Sequence, residues 1–292
     1  MKAPLVNDIY EPVTVADAVD LLKEKSNAAC LIAGGTDLLP LLKDGVLAPD
    51  CLIDIAGLPL NYIKGTPAKG FRIGATTTMK AIKASASIKR GLPVLSAAAA
   101  QVGGPQTQEL ATIGGNLCTA SPAGNLVTVL LALEAGVKLL GPEGERVVPL
   151  KEFFRGPKQT VIGKSEIMIE VIIPPLPKKY GAEYIKYTLR KEMDIALVGV
   201  AVMIVPDGTK VGKIRIALGA VGPVAFLAES AQKILEGKKY STVTVEKAVK
   251  SANNQCSFIS DVRADSQYRC DVTAVLLSRA IAAAWKSAKG GK

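Results

Sequence analysis

The sequence contains two segments of one design, Leu31-Ile32-Ala33-Gly34-Gly35-Thr36-Asp37-Leu38 and Ala111-Thr112-Ile113-Gly114-Gly115-Asn116-Leu117. Each places paired glycines between apolar and small polar residues. Glycine lets a ligand approach the backbone closely, and successive amides in such a turn can form an anion-binding nest. Thr36, Thr112 and Asn116 add neutral donors. The pair predicts a pyrophosphate site, whereas for either segment alone a turn or helix cap is the commoner role of paired glycines.

Other nucleotide-binding motifs are not supported. Neither segment matches Gly-x-Gly-x-x-Gly, and the sequence holds no Walker A pattern, so a Rossmann site and a P-loop are both disfavoured. The second segment lies within a glycine- and proline-rich stretch, residues 103–125, that has few long apolar side chains. Because strongly apolar segments flank it, we predict a long loop that is ordered and functional.

The composition limits the chemistry available to the chain. Its 292 residues, 49% hydrophobic and 21% charged, predict a folded protein of roughly two domains. It contains no histidine, which excludes Ser-His-Asp and Cys-His catalysis and histidine-ligated zinc or haem. The net charge of +10 indicates an anionic cofactor, an acidic partner or nucleic acid. Nucleic acid is disfavoured, since the lysines are dispersed and not interleaved with aromatic residues.

Single reactive side chains carry little functional signal. The five cysteines form no Cys-x-x-Cys pair, so neither a disulfide framework nor an iron–sulfur cluster is expected. Asp37, Asp54 and Cys118 have no evident catalytic partner, and we assign no catalytic residue and no metal site. The N-terminus lacks the apolar core of a signal peptide, and the apolar run 195–205 is too short to cross a bilayer. We therefore expect a cytoplasmic protein without a transmembrane segment.

Periodicity predicts an α+β chain in two parts. In the first part, helices are expected at 14–22, 38–43, 93–100 and 126–133, and strands at 30–33, 51–55, 71–75, 137–140, 146–150 and 166–173. A proline-rich segment, 174–177, marks the expected boundary, because proline cannot continue a sheet ladder. Beyond it we expect three strands and then three helices, at 184–189, 196–205, 211–218, 228–235, 243–252 and 271–287.

The two glycine segments resemble the flavin-binding signature of the FAD-binding medium subunits of molybdenum hydroxylases. This family includes the xanthine dehydrogenase-like and carbon monoxide dehydrogenase-like flavoproteins. Three further segments are similar to family motifs in the same order: Ala120-Ser121-Pro122-Ala123-Gly124-Asn125, Arg190-Lys191-Glu192-Met193-Asp194-Ile195-Ala196, and Asp261-Val262-Arg263-Ala264 followed by Tyr268-Arg269.

The resemblance implies a fold and a cofactor. Residues 1–175 would form a two-lobed FAD-binding domain of the vanillyl-alcohol oxidase type, with lobes at about 1–57 and 58–175. A C-terminal domain, 178–292, would follow with three antiparallel strands and a helical bundle. The positions implied to bind FAD are Leu31, Ile32, Ala33, Gly34, Gly35, Thr36, Asp37, Leu38, Val102, Thr112, Ile113, Gly114, Gly115, Asn116, Asn125, Met168, Lys186 and Ile195. Ile195 would lie near the isoalloxazine ring, with Asp194 close to its edge.

The resemblance also implies partners and leaves alternatives. A large subunit would carry molybdopterin and a small one two [2Fe–2S] clusters, in a dimer of heterotrimers that passes electrons through FAD to NAD or another acceptor. This chain departs from the family at Asn125, where aspartate is usual, and at Gln108-Glu109, where Arg-Asn is common. A flavin-poor structural subunit and a stand-alone FAD oxidoreductase therefore stay open as alternatives. No four-cysteine insertion is present, unlike in members that act on aromatic acyl-CoA.

Overall fold

The computed structural model describes residues 6–190 and 193–290. Its first unit, which we call the first lobe (residues 6–57), is a parallel sheet with two helices. In chain order its elements are β1 (Asp8–Tyr10), α1 (Val15–Lys25), β2 (Ala29–Ile32), α2 (Leu38–Lys43) and β3 (Cys51–Asp54), and the strand order is β1-β3-β2. Thr14 and Asp17 exchange both hydrogen bonds of a capping box, so the predicted start of α1 is confirmed.

The second unit, the second lobe (residues 58–175), is an antiparallel sheet backed by helices. Its strands are β4 (Ile63–Thr66), β5 (Gly70–Gly74), β6 (Gly136–Gly141), β7 (Gly144–Pro149), a small hairpin of β8 (Phe154–Gly156) and β9 (Gln159–Thr160), and β10 (Ile167–Ile173). The main sheet has the order β4-β5-β10-β6-β7. Its helices are α3 (Met79–Ala84), α4 (Ala86–Gly91), α5 (Pro93–Ala100), α6 (Pro105–Leu110), α7 (Ile113–Cys118) and α8 (Asn125–Ala132). All residues of α8 are buried, which fits its largely apolar sequence, and the buried set includes the polar residues Asn125 and Thr128.

The prediction of a long loop at 103–125 is wrong in one respect, because this stretch contains the short helices α6 and α7. The Thr112 side chain accepts a hydrogen bond from the Gly115 amide and so caps α7. Gly114 donates its amide to the Ala75 carbonyl at 2.8 Å, and a Cβ on Gly114 would lie 2.7 Å from that oxygen. A side chain at position 114 would clash with this carbonyl, which explains the presence of glycine inside a helix.

The C-terminal part is an antiparallel sheet covered by helices. Its elements are β11 (Gly181–Tyr187), β12 (Val198–Asp207), β13 (Lys210–Gly219), β14 (Phe226–Leu227), α9 (Glu229–Leu235), α10 (Thr242–Asn253) and α11 (Ser266–Ala288). The α+β fold class and the three long antiparallel strands are confirmed, and β14 adds a fourth, two-residue strand. Helix α11 begins five residues before the predicted start, because Asp265 caps it through the Tyr268 amide. The exact domain boundary stays a prediction.

Ion pairs join the second lobe to the C-terminal sheet. Glu134, which follows α8, accepts hydrogen bonds from Lys213 and from Arg215 on β13. Arg215 also donates to Glu236 at the end of α9, at 2.8 Å. Within the described part of the chain, no helix is both long enough and apolar enough to span a bilayer.

Candidate functional site

The two glycine segments face one cavity between the lobes. This outer cavity has a volume of about 660 Å³. It is lined by residues 31–38 of the first segment, by Ala111, Thr112, Gly115 and Asn116 of the second, and by Leu41, Val46, Leu47, Val102, Gly103, Thr107, Cys118, Thr119 and Lys158. The structure therefore brings together segments that lie about 80 residues apart in the sequence, as a shared ligand would require.

Close backbone approach explains the glycines of the first segment. Strand β2 ends at Ile32 and α2 begins at Leu38, so the glycines lie in the intervening turn. A Cβ on Gly34 would lie 1.8 Å from the Leu110 carbonyl oxygen of the second lobe. Gly35 has a φ of +67°, in the left-handed region that favours glycine. The two lobes thus touch through backbone atoms at this turn.

The second segment presents polar groups to the same space. Gly115 is exposed at the cavity, and a Cβ there would meet only the Thr112 hydroxyl, at 3.0 Å. The side-chain oxygen of Asn116 is buried and lacks a hydrogen-bond partner among the described residues. A buried acceptor without a partner is unfavourable, so a ligand hydroxyl beside Asn116 would be stabilised.

A hydrogen bond joins the lobes across the outer cavity. The Thr119 hydroxyl at the end of α7 donates to the Asp37 carboxylate at 3.0 Å. Among the described residues that line this cavity, Lys158 is the only basic one. It adopts a φ of +58° and donates its amide to the carbonyl of Ala120, whose own φ is +48°. Two strained non-glycine residues therefore fix the wall beside Thr119.

Lys158 was not predicted from the sequence, because it belongs to neither glycine segment and lies in the β8–β9 hairpin. A lone lysine in a short hairpin has no spacing that distinguishes it from a solvated surface residue.

An inner cavity of about 170 Å³ adjoins the outer one. Both are lined by Asp37, Val102, Gly103, Asn116 and Thr119, and the inner one also by Gln101, Ser121, Ala123, Gly124, Asn125, Lys186, Asp194, Ile195 and Ala196. The Asn125 amide and the Lys186 ammonium group both donate to the Gln101 carbonyl, at 2.7 and 3.1 Å. The predicted residues Val102, Asn125, Lys186 and Ile195 thus meet in one place.

The loop before β12 closes the inner cavity. Asp194 accepts hydrogen bonds from the backbone amides of Arg190 and Ile195, at 2.9 and 3.0 Å. The Arg190 amide is the main reason why the pKa of Asp194 lies below its ordinary value. Ile195 is exposed, and Lys191 and Glu192 of the predicted motif lie outside the described residues.

Three predicted residues do not line either cavity. Ile113 and Gly114 are buried in α7, inside the second lobe, and Met168 is buried on β10 opposite Leu139 of β6. Their contact with a cofactor stays a prediction, and their position in the structure is that of packing residues behind the cavity wall.

The site fits a long, phosphate-bearing cofactor. The glycine turn between β2 and α2 lines the outer cavity with backbone, Thr36, Thr112 and Asn116 supply neutral polar groups, and the joined cavities extend over both lobes. The lining also provides apolar surface, including Leu31, Ile32, Val46 and Val102, against which aromatic rings can pack. This combination of fold and site defines a flavoprotein-like nucleotide-binding module.

Comparison with known proteins identifies the family. A family model described as the FAD binding domain in molybdopterin dehydrogenase matches residues 5–176, and one for the CO dehydrogenase flavoprotein C-terminal domain matches residues 183–284. The chain belongs to the family of FAD-binding medium subunits of molybdenum hydroxylases, as the resemblance predicts. FAD is accordingly the cofactor of its N-terminal domain, and the chain is an oxidoreductase subunit.

Individual relatives match along nearly their whole length. The carbon monoxide dehydrogenase medium chain of Hydrogenophaga pseudoflava is 34% identical over 95% of this chain and 96% of the relative. The xanthine dehydrogenase FAD-binding subunit of Escherichia coli O157:H7 is 30% identical, over 97% of each chain. A solved structure of carbon monoxide dehydrogenase from Hydrogenophaga pseudoflava, lacking the Mo-pyranopterin moiety, superposes with a TM-score of 0.93 at 35% identity and covers 98% of this chain and 99% of that one.

Proposed function

We propose that this chain carries electrons through FAD within a molybdenum hydroxylase, from [2Fe–2S] clusters on a small partner subunit to NAD or another acceptor. The observation that carries the proposal is the cavity that both glycine segments line together. When bound, FAD supplies the redox chemistry. A large subunit would hold molybdopterin and choose the substrate, in a dimer of heterotrimers located in the cytoplasm. Support for partners comes from relatives named as medium chains of such enzymes.

The residues of this chain have binding roles in this proposal. Amides around Gly34–Thr36 would hold the diphosphate, and the side-chain oxygen of Asn116 would accept a hydrogen bond from a ligand hydroxyl. Lys158 would offset the negative charge of the diphosphate and of Asp37. Val102, Asn125, Met168, Lys186 and Ile195 would shape the space for the flavin ring. The described lining offers no histidine, and a subunit that only relays electrons needs no general acid or base.

The direct test is flavin content. We expect the purified full-length chain to show the absorption bands of bound flavin, or to acquire them when FAD is added. Gly115→Leu should abolish uptake, because its side chain would enter the cavity without meeting other backbone. Gly57→Ala is the matched control, since a Cβ there has no neighbour within 4 Å. A wild-type chain that neither contains nor takes up flavin would disprove the proposal.

The same variant separates the flavin role from a purely structural one. If Gly115→Leu removes FAD and acceptor reduction while the complex still assembles, the chain acts through its flavin. Unchanged acceptor reduction in a flavin-free complex would favour a flavin-poor scaffold. Size-exclusion chromatography of the native protein tests the stand-alone alternative, which predicts a single 30.5 kDa species.

A further inference from the structure

The C-terminal end of α5 has an unusual set of hydrogen bonds. Three successive carbonyl groups, at residues 100–102, each accept a side-chain donor. The Gln108 amide donates to the carbonyls of Ala100 and Val102, at 2.9 and 3.0 Å. The intervening Gln101 carbonyl accepts from Asn125 at 2.7 Å and from Lys186 at 3.1 Å. The donors come from α6, α8 and β11, so three separate elements hold one short segment.

This segment is a wall of the site. Gln101 and Val102 line the inner cavity, and Val102 also lines the outer one. The last carbonyls of a helix have no hydrogen-bond donor within the helix, and here side chains supply the missing donors. Gln108 and Asn125 are only 4% and 5% exposed, so water cannot readily replace either donor. Loss of Gln108 would remove the side-chain donor from the carbonyls of Ala100 and Val102, and loss of Asn125 would leave the Gln101 carbonyl with Lys186 alone.

The orientation of the Gln108 amide is fixed by a third contact. Its side-chain oxygen accepts a hydrogen bond from the Lys83 ammonium group at 3.1 Å, which turns its NH₂ toward the carbonyls. A carboxylate has no hydrogen to donate, so ionised Glu or Asp could not make these bonds. Two neutral amide side chains therefore hold the wall together with Lys186.

We propose that Gln108 and Asn125 act jointly as positioning residues for the cofactor, by fixing the 100–102 wall where the outer cavity meets the inner one. The inference rests on the proposed FAD site and gives Asn125 and Gln108 a role through the backbone of the wall, in addition to the place of Asn125 in the cavity lining. Both side chains are uncharged amides, so neither loses its donor hydrogens as the pH changes.

The pH profile of FAD binding tests Asn125. We expect Asn125→Asp to bind FAD about tenfold more weakly than wild type at pH 8, where an ionised carboxylate faces the Gln101 carbonyl. The difference in FAD affinity between variant and wild type should decrease toward pH 5, because a protonated carboxyl group can donate a hydrogen bond to the Gln101 carbonyl. Lys186, Asp37 and Asp194 line the same cavity and set the midpoint of this change, Lys186 lowering it and the aspartates raising it. Wild-type affinity in the variant at every pH would overturn the inference.

A second site gives an independent measurement. Gln108→Met keeps the length of the side chain and removes its donors, and we expect a loss of about tenfold in FAD affinity. Gln106→Glu is the matched control on the exposed side of α6 and should bind FAD like wild type. Fluorescence titration gives the affinities, and the visible circular dichroism of the bound flavin reports its orientation. A dichroism spectrum unchanged in every variant would contradict a positioning role.

Joint action requires coupling between the two sites. In a double-mutant cycle with Asn125→Leu and Gln108→Met, we expect the losses in FAD affinity to be non-additive. Strict additivity would overturn joint action. The outcomes remain distinct from a failure of the proposed function: if wild type takes up no FAD, the site itself is wrong, whereas equal binding by wild type and variants rejects this inference alone.

Discussion

Gly34 is the residue where the backbone of the first lobe meets that of the second. With a hypothetical Cβ 1.8 Å from the Leu110 carbonyl oxygen, no rotamer change can make room for a side chain. The neighbouring atoms belong to backbone, so a substitution must separate the lobes. The site thus depends on the absence of an atom at position 34 as much as on any group that contacts the ligand.

Gly34→Ala should therefore lower both stability and cofactor affinity. We expect the free energy of unfolding to fall by about 3 kcal/mol and FAD affinity to fall at least about tenfold. Urea unfolding and FAD titration measure the two effects. Gly57→Ala, with open space around its Cβ, should change the free energy of unfolding by less than about 0.5 kcal/mol. Equal effects of the two substitutions would show that the lobes can separate freely.

Lys158→Gln tests the charge at the outer cavity. We expect FAD affinity at low salt to fall roughly tenfold, while binding of riboflavin, which has no phosphate, stays unchanged. The difference between variant and wild type should shrink as salt is raised, because ions screen exposed charges. Arg155→Gln removes the same charge from the same hairpin at a residue outside the cavity lining and is the control. Similar losses in both variants would assign the effect to net charge alone.

Much of the candidate site could be predicted from the sequence at the residue scale, and the residues that could not be predicted share a physical cause. The first glycine segment and four more distant positions, Val102, Asn125, Lys186 and Ile195, do line the joined cavities. The roles of Gln108 and Lys158 could not be predicted, since each depends on a contact with a segment remote in sequence. From the sequence, glutamine at position 108 indicates only that the arginine common in the family is absent. In the structure, Lys83 donates a hydrogen bond to the side-chain oxygen of Gln108.

At the scale of elements, prediction succeeded where local signals were strong. Helices α2 and α5 have the predicted bounds, and the β6–β7 hairpin follows from its Gly-Pro-Glu-Gly turn. Helices α6 and α7 were missed because glycine and proline normally interrupt helices, whereas here Pro105 starts one and Gly114 packs against Ala75, just after β5. Strand β4 was missed because its four residues are mostly exposed and polar.

A buried carboxylate holds three neighbouring elements together in the second lobe. Glu170 on β10 accepts two hydrogen bonds from Arg72 on β5, at 2.8 Å from Nε and 2.6 Å from the terminal nitrogen, and one from Tyr62 beside β4, at 2.8 Å. Burial favours the protonated acid, but the bonds from Arg72 and Tyr62 outweigh it and keep the pKa of Glu170 below its usual value. Burial and the hydrogen bond to Glu170 raise the pKa of Tyr62 to about 12, so that its hydroxyl remains a donor.

Glu170→Gln should therefore destabilise the fold in a pH-dependent manner. A lowered folded-state pKa stabilises the protein above the ordinary glutamate pKa of about 4.3, and this contribution is lost as pH falls through the folded value. We expect a loss of about 2–3 kcal/mol at pH 7 that diminishes toward pH 3. Urea unfolding at both pH values provides the measurement. Glu145→Gln, in an exposed pair with Lys138, should have little effect, and a deficit independent of pH would contradict the assignment.

On the scale of the whole molecule, the cofactor site is shared by two lobes and braced by the C-terminal sheet. Asp37 and Thr119 bond across the lobes, and Lys186 on β11 reaches the end of α5. The chain lacks histidine, which first limited the reactions open to it. Its residues instead hold the cofactor, and that arrangement needs no imidazole.

Cofactor binding should consequently stabilise the entire chain. At a free FAD concentration one hundred times the dissociation constant, linkage gives about 2.7 kcal/mol. For a chain of this size we expect the midpoint of thermal unfolding to rise by roughly 5 °C. Calorimetry with and without FAD tests this, with Gly115→Leu as the control that should not respond. A wild-type protein that binds flavin without any shift would show that the lobes unfold independently of the site.

Non-glycine residues with positive φ divide into two groups for protein engineering, as Ser26 and Lys158 show. Ser26 has a φ of +50° at the exposed end of α1 and lines neither cavity, and glycine there would relieve strain by about 1 kcal/mol. Lys158 adopts a similar φ, but glycine at that position would remove the charge at the outer cavity and add backbone freedom beside it. A design rule that replaces every left-handed residue by glycine would therefore exchange cofactor affinity for thermal stability, and should be applied to Ser26 alone of these two.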